Sequence, residues 1–118
     1  MRAFLFSYGR LQSPYSPPKT AVRFTQAFVR GLCWSHGDDP AMTHVGEPNY
    51  PWVEGQRIEL DSDEWPTLDA EETGFKRTKT SVRVGEMMMP AWIYIWKGPI
   101  PKDPRLLVKW SMKAPKYA

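Results

Sequence analysis

The spacing of proline is the sequence feature that most constrains how this chain folds. The 118 residues include 12 prolines, and the longest stretch without one covers residues 67–89. Because proline lacks a backbone N–H and its ring clashes with the preceding helical turn, it interrupts helices and central strands. The spacing therefore argues against a bundle of long helices. It favours short elements joined by rigid turns.

Five apolar segments are predicted strands, since they are rich in β-branched and aromatic residues. They are Ala3–Tyr8, Gln26–Trp34, Trp52–Leu60, Thr78–Val84 and Met87–Trp96. The last two alternate in polarity and are joined by Gly85-Glu86, which predicts a hairpin. We expect a mixed α/β (α+β) domain with a small, barrel-like sheet and one or two short helices.

The chain length is enough for one hydrophobic core but not for two. We therefore expect a single domain over residues 1–100. Residues 101–118 carry four lysines, one arginine and a single acid. They are predicted to be a basic C-terminal tail that packs on the domain or extends from it.

One short helix is predicted between Asp61 and Gly74. The residues Asp61–Asp63 offer oxygens that can cap its first turn, and Pro66 is harmless there because N–H groups of the first turn need no helical partner. Gly74 can end the helix. A second helix is an option at Thr20–Gln26, where the preceding prolines and β-branched residues leave the conformation open.

A carboxylate of this helix is a candidate catalytic group. Leu68 and Glu72 are four residues apart and share a helical face, so Glu72 is expected to point toward the apolar side. Desolvation there would raise its proton affinity and suit it to general acid or base catalysis. Glu71 is the nearest competitor. A solvated surface acid is the alternative interpretation of Glu72.

Charge is divided along the chain rather than spread evenly. Residues 1–35 carry five basic residues and no acid, residues 36–72 carry eleven acids against Arg57, and residues 73–118 carry ten basic residues against two acids. An acidic middle segment would repel phosphate, so nucleic acid is an unlikely partner. A single-stranded nucleic-acid binder, suggested by aromatic residues interleaved with basic ones, stays the weakest alternative.

Cysteine, histidine and hydropathy patterns suggest few special sites. Cys33 is the single cysteine, so no intrachain disulfide forms. Cys33, His36 and His44 are too few and too loosely spaced for zinc, and we expect no metal. No apolar run approaches a membrane span, and the N-terminus does not resemble a signal peptide. These patterns predict a cytoplasmic protein without a membrane partner.

Three segments, in this order, resemble the γ-glutamylcyclotransferase-like family, which includes the AIG2-like proteins. Phe4–Leu11 is similar to a first strand that ends in a Tyr-Gly-x-Leu loop. Leu68–Glu72 is similar to a Leu-Asp-x-x-Glu helix that supplies a catalytic glutamate, and Ala91–Ile95 to an Ala-Trp-x-Tyr strand. Between the first and second of these segments, Val53–Gly55 resembles a Val-x-Gly piece of the family. The resemblance covers about residues 3–96.

The resemblance implies a reaction that needs no cofactor: the α-amine of a γ-glutamyl compound attacks its own γ-carbonyl and releases an amine and 5-oxoproline. Glu72 would be the general acid/base. The expected substrate-binding residues are Tyr8, Gly9, Arg10, Leu11 and Tyr94. Backbone N–H groups of the Tyr8–Leu11 loop would hold the glutamyl group and stabilise the oxyanion.

Three positions depart from the family pattern. Arg10 stands where a small polar residue is usual, Thr73 replaces a common Gly, and Phe75 replaces a frequent Tyr. On charge complementarity alone, Arg10 is expected to pair with a substrate carboxylate. These departures make a catalytically silent member of the same fold, which binds a small ligand or a protein, the main alternative to an enzyme.

Overall fold

The computed structural model describes every residue, Met1–Ala118, and consists mostly of strands. The nine strands are β1 (Arg2–Ser7), β2 (Arg23–Arg30), β3 (Leu32–His36), β4 (Asp39–Thr43), β5 (Trp52–Asp61), β6 (Phe75–Val84), β7 (Met87–Trp96), β8 (Leu107–Lys109) and β9 (Lys116–Tyr117). A turn of 3-10 helix covers Ser62–Glu64, and the single α-helix, α1, covers Trp65–Glu71. The predicted α+β class is confirmed.

Five strands close into a small barrel. Their order is β1-β7-β6-β2-β5, and β5 pairs again with β1 over six residues of each strand, which closes the ring. The β1–β7 contact is parallel, and the other contacts in the ring are antiparallel. Side chains such as Phe6, Val29, Val53 and Ile93 fill the core. The predicted barrel-like sheet is confirmed.

The hairpin predicted around Gly85-Glu86 is present. β6 and β7 pair along their full length, from Phe75 opposite Trp96 to Val84 opposite Met87. Gly85 has a φ of +60°, a conformation that a residue without a Cβ adopts at little cost. A two-residue turn with a left-handed residue matches the twist of the flanking strands. Local turn chemistry therefore sets this register.

The possible helix at Thr20–Gln26 is wrong, because this stretch leads into β2. All eight residues of β2 pair with β5, and Ala27 and Val29 pack into the core. The strand is shorter than the predicted Gln26–Trp34 segment, which divides at Gly31 into β2 and β3. A Cβ on Gly31 would lie 2.9 Å from the sulfur of Met42.

Two further parts of the chain pack beside the barrel, and of their strands only the start of β3 lies within a predicted segment. β3 and β4 form a separate two-stranded hairpin, with Gly37 at a φ of +65° in its turn. β8 adds to β5 through a parallel contact, and β9 pairs with β8. Leu107 and Trp110 of this C-terminal stretch are buried in the main core.

Helix α1 covers the outside of the barrel next to the end of β1. Trp65 and Leu68 pack on Leu5, Leu60 and Tyr94, which form a second apolar cluster. Pro66 lies in the first turn, as predicted, and Asp61 accepts a hydrogen bond from the N–H of Asp63 in the 3-10 turn before it. No helix in the chain is both long enough and apolar enough to span a membrane.

Candidate active site

A pocket of about 410 Å³ opens between the end of β1, the turn of the β3–β4 hairpin and the C-terminal end of α1. It contains all six residues predicted from the sequence: Tyr8, Gly9, Arg10, Leu11, Glu72 and Tyr94. Asp39 and Glu71 also line it. Its lining therefore has three acidic side chains and one basic side chain.

Two glycines allow the loop after β1 to follow its path. A Cβ on Gly55 would overlap the carbonyl oxygen of Ser7 and lie 2.8 Å from the ring of Phe6. A Cβ on Gly9 would lie 2.8 Å from the ring of Pro40 in the β3–β4 hairpin. Both neighbours are too close for any larger residue. The two glycines thus bring the Tyr8–Leu11 loop against β5 on one side and the hairpin on the other.

The Tyr8–Leu11 loop presents a run of free backbone donors. Within the loop the carbonyl groups of Gly9 and Arg10 accept hydrogen bonds, from the N–H groups of Gln12 and Ser16 at 3.2 and 2.8 Å. The N–H groups of residues 8–11 donate to no acceptor within the protein. Successive N–H groups of this kind can bind a carboxylate or a developing oxyanion.

Glu72 stands where α1 ends. Its N–H still donates to the carbonyl oxygen of Leu68 at 3.0 Å, but its φ of −92° and ψ of 57° are not helical, so the chain turns away at this residue. The side chain is half-buried in the pocket wall, whereas Glu71 is exposed. Burial raises the pKa of the Glu72 carboxyl, and the nearby charges of Asp39 and Glu71 raise it further.

The end of α1 is held to the barrel by a chain of hydrogen bonds. The Tyr94 hydroxyl donates to a carboxylate oxygen of Asp69 at 2.7 Å, and Arg77 donates to both oxygens of that carboxylate at 3.0 and 3.3 Å. The Arg77 guanidinium also lies 4.3 Å from the Trp65 ring centre and 4.8 Å from that of Trp92. This network fixes the helix that carries Glu72.

The two tyrosines of the pocket are neutral hydrogen-bond donors. The Tyr8 hydroxyl donates to the carbonyl oxygen of Tyr94 at 2.7 Å. Burial raises the pKa of both phenols, and for Tyr94 the neighbouring Asp69 carboxylate adds to the effect. Both therefore keep their protons at neutral pH. Tyr8 and Tyr94 join β1 to β7 beneath the pocket.

Asp39 is a pocket residue that the sequence did not reveal. Its carboxylate accepts a hydrogen bond of 2.7 Å from Arg10, so the guanidinium expected to meet a substrate carboxylate already has a partner. Asp39 lies at the start of β4, far from Arg10 in sequence. Only the packing of the hairpin against the loop brings Asp39 and Arg10 together, and no local sequence motif predicts that contact.

The positions that depart from the family pattern also face the pocket. Thr73 and Phe75 line it with Arg10. The Phe75 ring packs edge-on against Trp96 with 5.2 Å between ring centres, and it offers no hydroxyl. No group of three or more histidine, cysteine, aspartate or glutamate side chains is placed to hold a metal ion.

Comparisons with solved structures support the fold. An AIG2-like protein from Mus musculus superposes with a TM-score of 0.79 at 16% identity, over 96% of this chain and 90% of the mouse chain. YkqA from Bacillus subtilis has a TM-score of 0.69 at 22% identity over 82% of this chain, but the match spans only 36% of YkqA. An uncharacterised protein from Pyrococcus horikoshii has a TM-score of 0.65 at 18% identity, over 88% and 85% of the two chains.

Sequence comparison identifies the family directly. No curated protein matches the chain significantly. The sequence profile described as "Gamma-glutamyl cyclotransferase, AIG2-like" matches residues 5–112, which include the pocket, the barrel except the start of β1, and Trp110 of the C-terminal stretch. The chain belongs to the gamma-glutamyl cyclotransferase, AIG2-like family.

Proposed function

We propose that this protein is a cyclotransferase that cleaves a γ-glutamyl amide, either a γ-glutamyl amino acid or a γ-glutamyl amine, into 5-oxoproline and the free amine. The observation that carries the proposal is that one pocket contains both a candidate general base and a set of free hydrogen-bond donors. A half-buried carboxylate, Glu72, has a raised pKa, and the Tyr8–Leu11 loop offers free backbone N–H groups. Family membership is consistent with this chemistry.

In this mechanism Glu72 acts first as a base. It takes a proton from the α-ammonium of the substrate, which frees the nitrogen lone pair to attack the γ-carbonyl carbon. A carboxyl with a raised pKa is a stronger base than an ordinary surface carboxylate. Because nucleophile and carbonyl belong to one molecule, the pocket needs only to hold the glutamyl chain in a bent conformation.

The loop donors act on the charge that develops next. Attack places negative charge on the γ-carbonyl oxygen, and N–H groups of Tyr8–Leu11 stabilise it. As the intermediate collapses, the bond to the departing nitrogen breaks and Glu72 returns a proton to that nitrogen. Over the whole reaction the attacking nitrogen loses two protons and the leaving nitrogen gains two, so protons and charge balance.

The substrate test uses a panel of γ-glutamyl amino acids and γ-glutamyl amines, with 5-oxoproline measured by mass spectrometry. We expect product from at least one compound. Glu72→Gln should lower kcat by about 10²-fold to 10⁴-fold, because proton transfer by a positioned side chain contributes that much. Glu86→Gln, at an exposed acid outside the pocket, is the control and should keep the activity, and Glu71→Gln tests the competing candidate and should lower kcat far less than Glu72→Gln.

Two outcomes would redirect the assignment. If no panel member yields product, the catalytically silent, ligand-binding alternative replaces the enzyme. If Glu72→Gln is as active as the unmodified protein, the role of Glu72 is refuted while the reaction stands. Titration with short oligonucleotides at two salt concentrations separates the remaining alternative, because a nucleic-acid complex weakens steeply with salt.

Arg10 has its own test within the same panel. If its guanidinium exchanges Asp39 for a carboxylate on the substrate, Arg10→Ala should raise KM most for the compounds with the most carboxylates. Comparing KM for a γ-glutamyl amino acid and a γ-glutamyl amine measures this preference. An equal change for both compounds would show that Arg10 does not select the substrate.

A further inference from the structure

One side chain of the C-terminal stretch, Trp110, contacts two segments that border the pocket. The indole N–H of Trp110 donates to the carbonyl oxygen of Asp38 at 3.1 Å, in the turn of the β3–β4 hairpin. Its ring also packs edge-on against Tyr15, with 4.9 Å between ring centres, and the guanidinium of Arg10, a residue of the pocket loop, lies 5.8 Å from the Trp110 ring. Trp110 is buried, with 6% of its surface exposed.

Because β3 and β4 pair only with each other, side-chain contacts hold this hairpin to the barrel: Cys33 and Met42 pack in the main core, and hydrogen bonds reach the strands and their turn. Three side-chain hydrogen bonds tie these strands and their turn to the rest of the protein: Arg10 to Asp39, Trp110 to Asp38, and Ser35 with Tyr117. Two of the three come from the C-terminal stretch. The Trp110 bond is the one made to the turn itself.

The position of this turn decides which charges surround Glu72. The titratable and charged groups that face its carboxylate are Asp39 from the hairpin, Glu71 from α1, Tyr8 and Arg10 from the loop after β1, and Tyr94 from β7. Of these groups, only Asp39 belongs to the β3–β4 hairpin. Moving the turn outward therefore removes a negative charge from the neighbourhood of Glu72 and releases Arg10.

We propose that Trp110 is a positioning residue of the site, which fixes the β3–β4 turn so that Asp39 stays across the pocket mouth from the Tyr8–Leu11 loop. This inference rests on the proposed function for its catalytic consequence. It extends the site beyond the residues that line it, into a stretch of chain that lies apart from the pocket in sequence.

The central test is the titration of the Glu72 carboxyl, followed by ¹³C NMR in Trp110→Phe. Phenylalanine keeps an aromatic ring in the core but cannot donate to the Asp38 carbonyl. We expect the titration midpoint to move to lower pH, because a negative charge near Glu72 is lost. Lys109→Met, next to Trp110 and paired with Glu54 of β5, is the control and should leave the midpoint unchanged.

A double substitution tests whether Trp110 affects Glu72 through the position of Asp39. Asp39→Asn alone should lower the Glu72 midpoint, and adding Trp110→Phe to it should lower the midpoint no further. In the panel assay, Trp110→Phe should reduce kcat/KM by about 10-fold to 100-fold, as misplaced binding groups do. The acidic limb of its pH–rate profile should move in the same direction as the NMR midpoint.

The results separate this inference from the proposed function. The NMR titration needs no substrate, so a protein without cyclotransferase activity still tests the positioning role. An unshifted midpoint in folded Trp110→Phe, or an equal shift in Lys109→Met, overturns it. If Trp110→Phe does not fold, Gly37→Ala loosens the same turn, because alanine disfavours the φ of +65° at that residue. An unshifted midpoint there overturns it equally.

Discussion

At the scale of single residues, the ionised carboxylate that the proposed reaction needs lowers the stability of the folded protein. Glu72 is half-buried beside two other acids, which disfavours the ionised form that a general base must adopt. A carboxyl whose pKa is higher in the folded chain than in the unfolded chain holds its proton more tightly when folded. The free energy of unfolding therefore falls as the pH rises between those two pKa values and stays lower above them.

Removing the charge of Glu72 should consequently stabilise the protein. We expect Glu72→Gln to have a higher free energy of unfolding than the unmodified protein at pH 7, with the difference vanishing below the ordinary glutamate value of 4.5. Urea unfolding at a series of pH values measures it. Glu71→Gln serves as the comparison and should show a smaller difference. Superimposable curves for Glu72→Gln would contradict the assigned burial.

Gly55 has a structural role of its own at this scale. Gly55→Ala would force its Cβ against the Ser7 carbonyl and the Phe6 ring. We expect a loss of about 1–3 kcal/mol in the free energy of unfolding, typical of overpacking. Thermal unfolding measures it, with the exposed Glu86→Ala as a control within about 0.5 kcal/mol of the unmodified protein. If Gly55→Ala left the free energy of unfolding unchanged, β1 and β5 would be able to move apart at this point without loss of stability.

At the scale of secondary-structure elements, local signals predicted some parts well and others not at all. The β6–β7 hairpin follows from alternating polarity and a glycine turn, and the position of α1 follows from Pro66 and from Asp61, which caps the 3-10 turn before the helix. β4, which contains Pro40, was missed, and β3 was predicted only as the end of one longer segment that Gly31 divides. The Asp39–Arg10 contact depends on how that hairpin packs, which no local pattern encodes.

The packing of α1 on the barrel should be sensitive to its single buried leucine. Leu68→Ala leaves a cavity among Leu5, Leu60 and Tyr94, so we expect a loss of about 2–5 kcal/mol in the free energy of unfolding. Thr67→Ala, on the exposed side of the helix, should change little. Chemical denaturation of both variants measures the difference. Equal stabilities would mean that α1 is not held by this cluster.

At the scale of the whole molecule, the C-terminal stretch is part of the folded core rather than an appendage. Leu107 has no exposed surface, and Trp110 packs against the main cluster. Losing a buried leucine or tryptophan typically costs several kcal/mol, comparable with the total stability of a small domain. The uneven distribution of charge along the sequence also has a structural result. Three acids of the middle segment, Asp39, Glu71 and Glu72, line the same pocket.

Truncation tests the contribution of this stretch. A chain that stops after Arg105 lacks Leu107 and Trp110, and we expect it to lose cooperative thermal unfolding. A chain that stops after Met112 keeps both residues and loses only the short strand β9, so it should still unfold cooperatively. Circular dichroism during heating distinguishes the two. Cooperative unfolding of the shorter chain would contradict the burial of Leu107 and Trp110.

The closure of the barrel through β1 has a consequence for the order in which the protein forms during synthesis. The neighbours of β1 in the ring are β5 and β7, which lie about fifty and ninety residues further along the chain. Such distant pairing is slow, because the connecting chain must be ordered before the contact is made. A nascent chain that emerges N-terminus first therefore carries β1 unpaired until β5 has left the ribosome. The pocket loop that follows β1 gains the contact between Arg10 and Trp110 only after all five barrel strands have emerged, so the site is completed after the barrel.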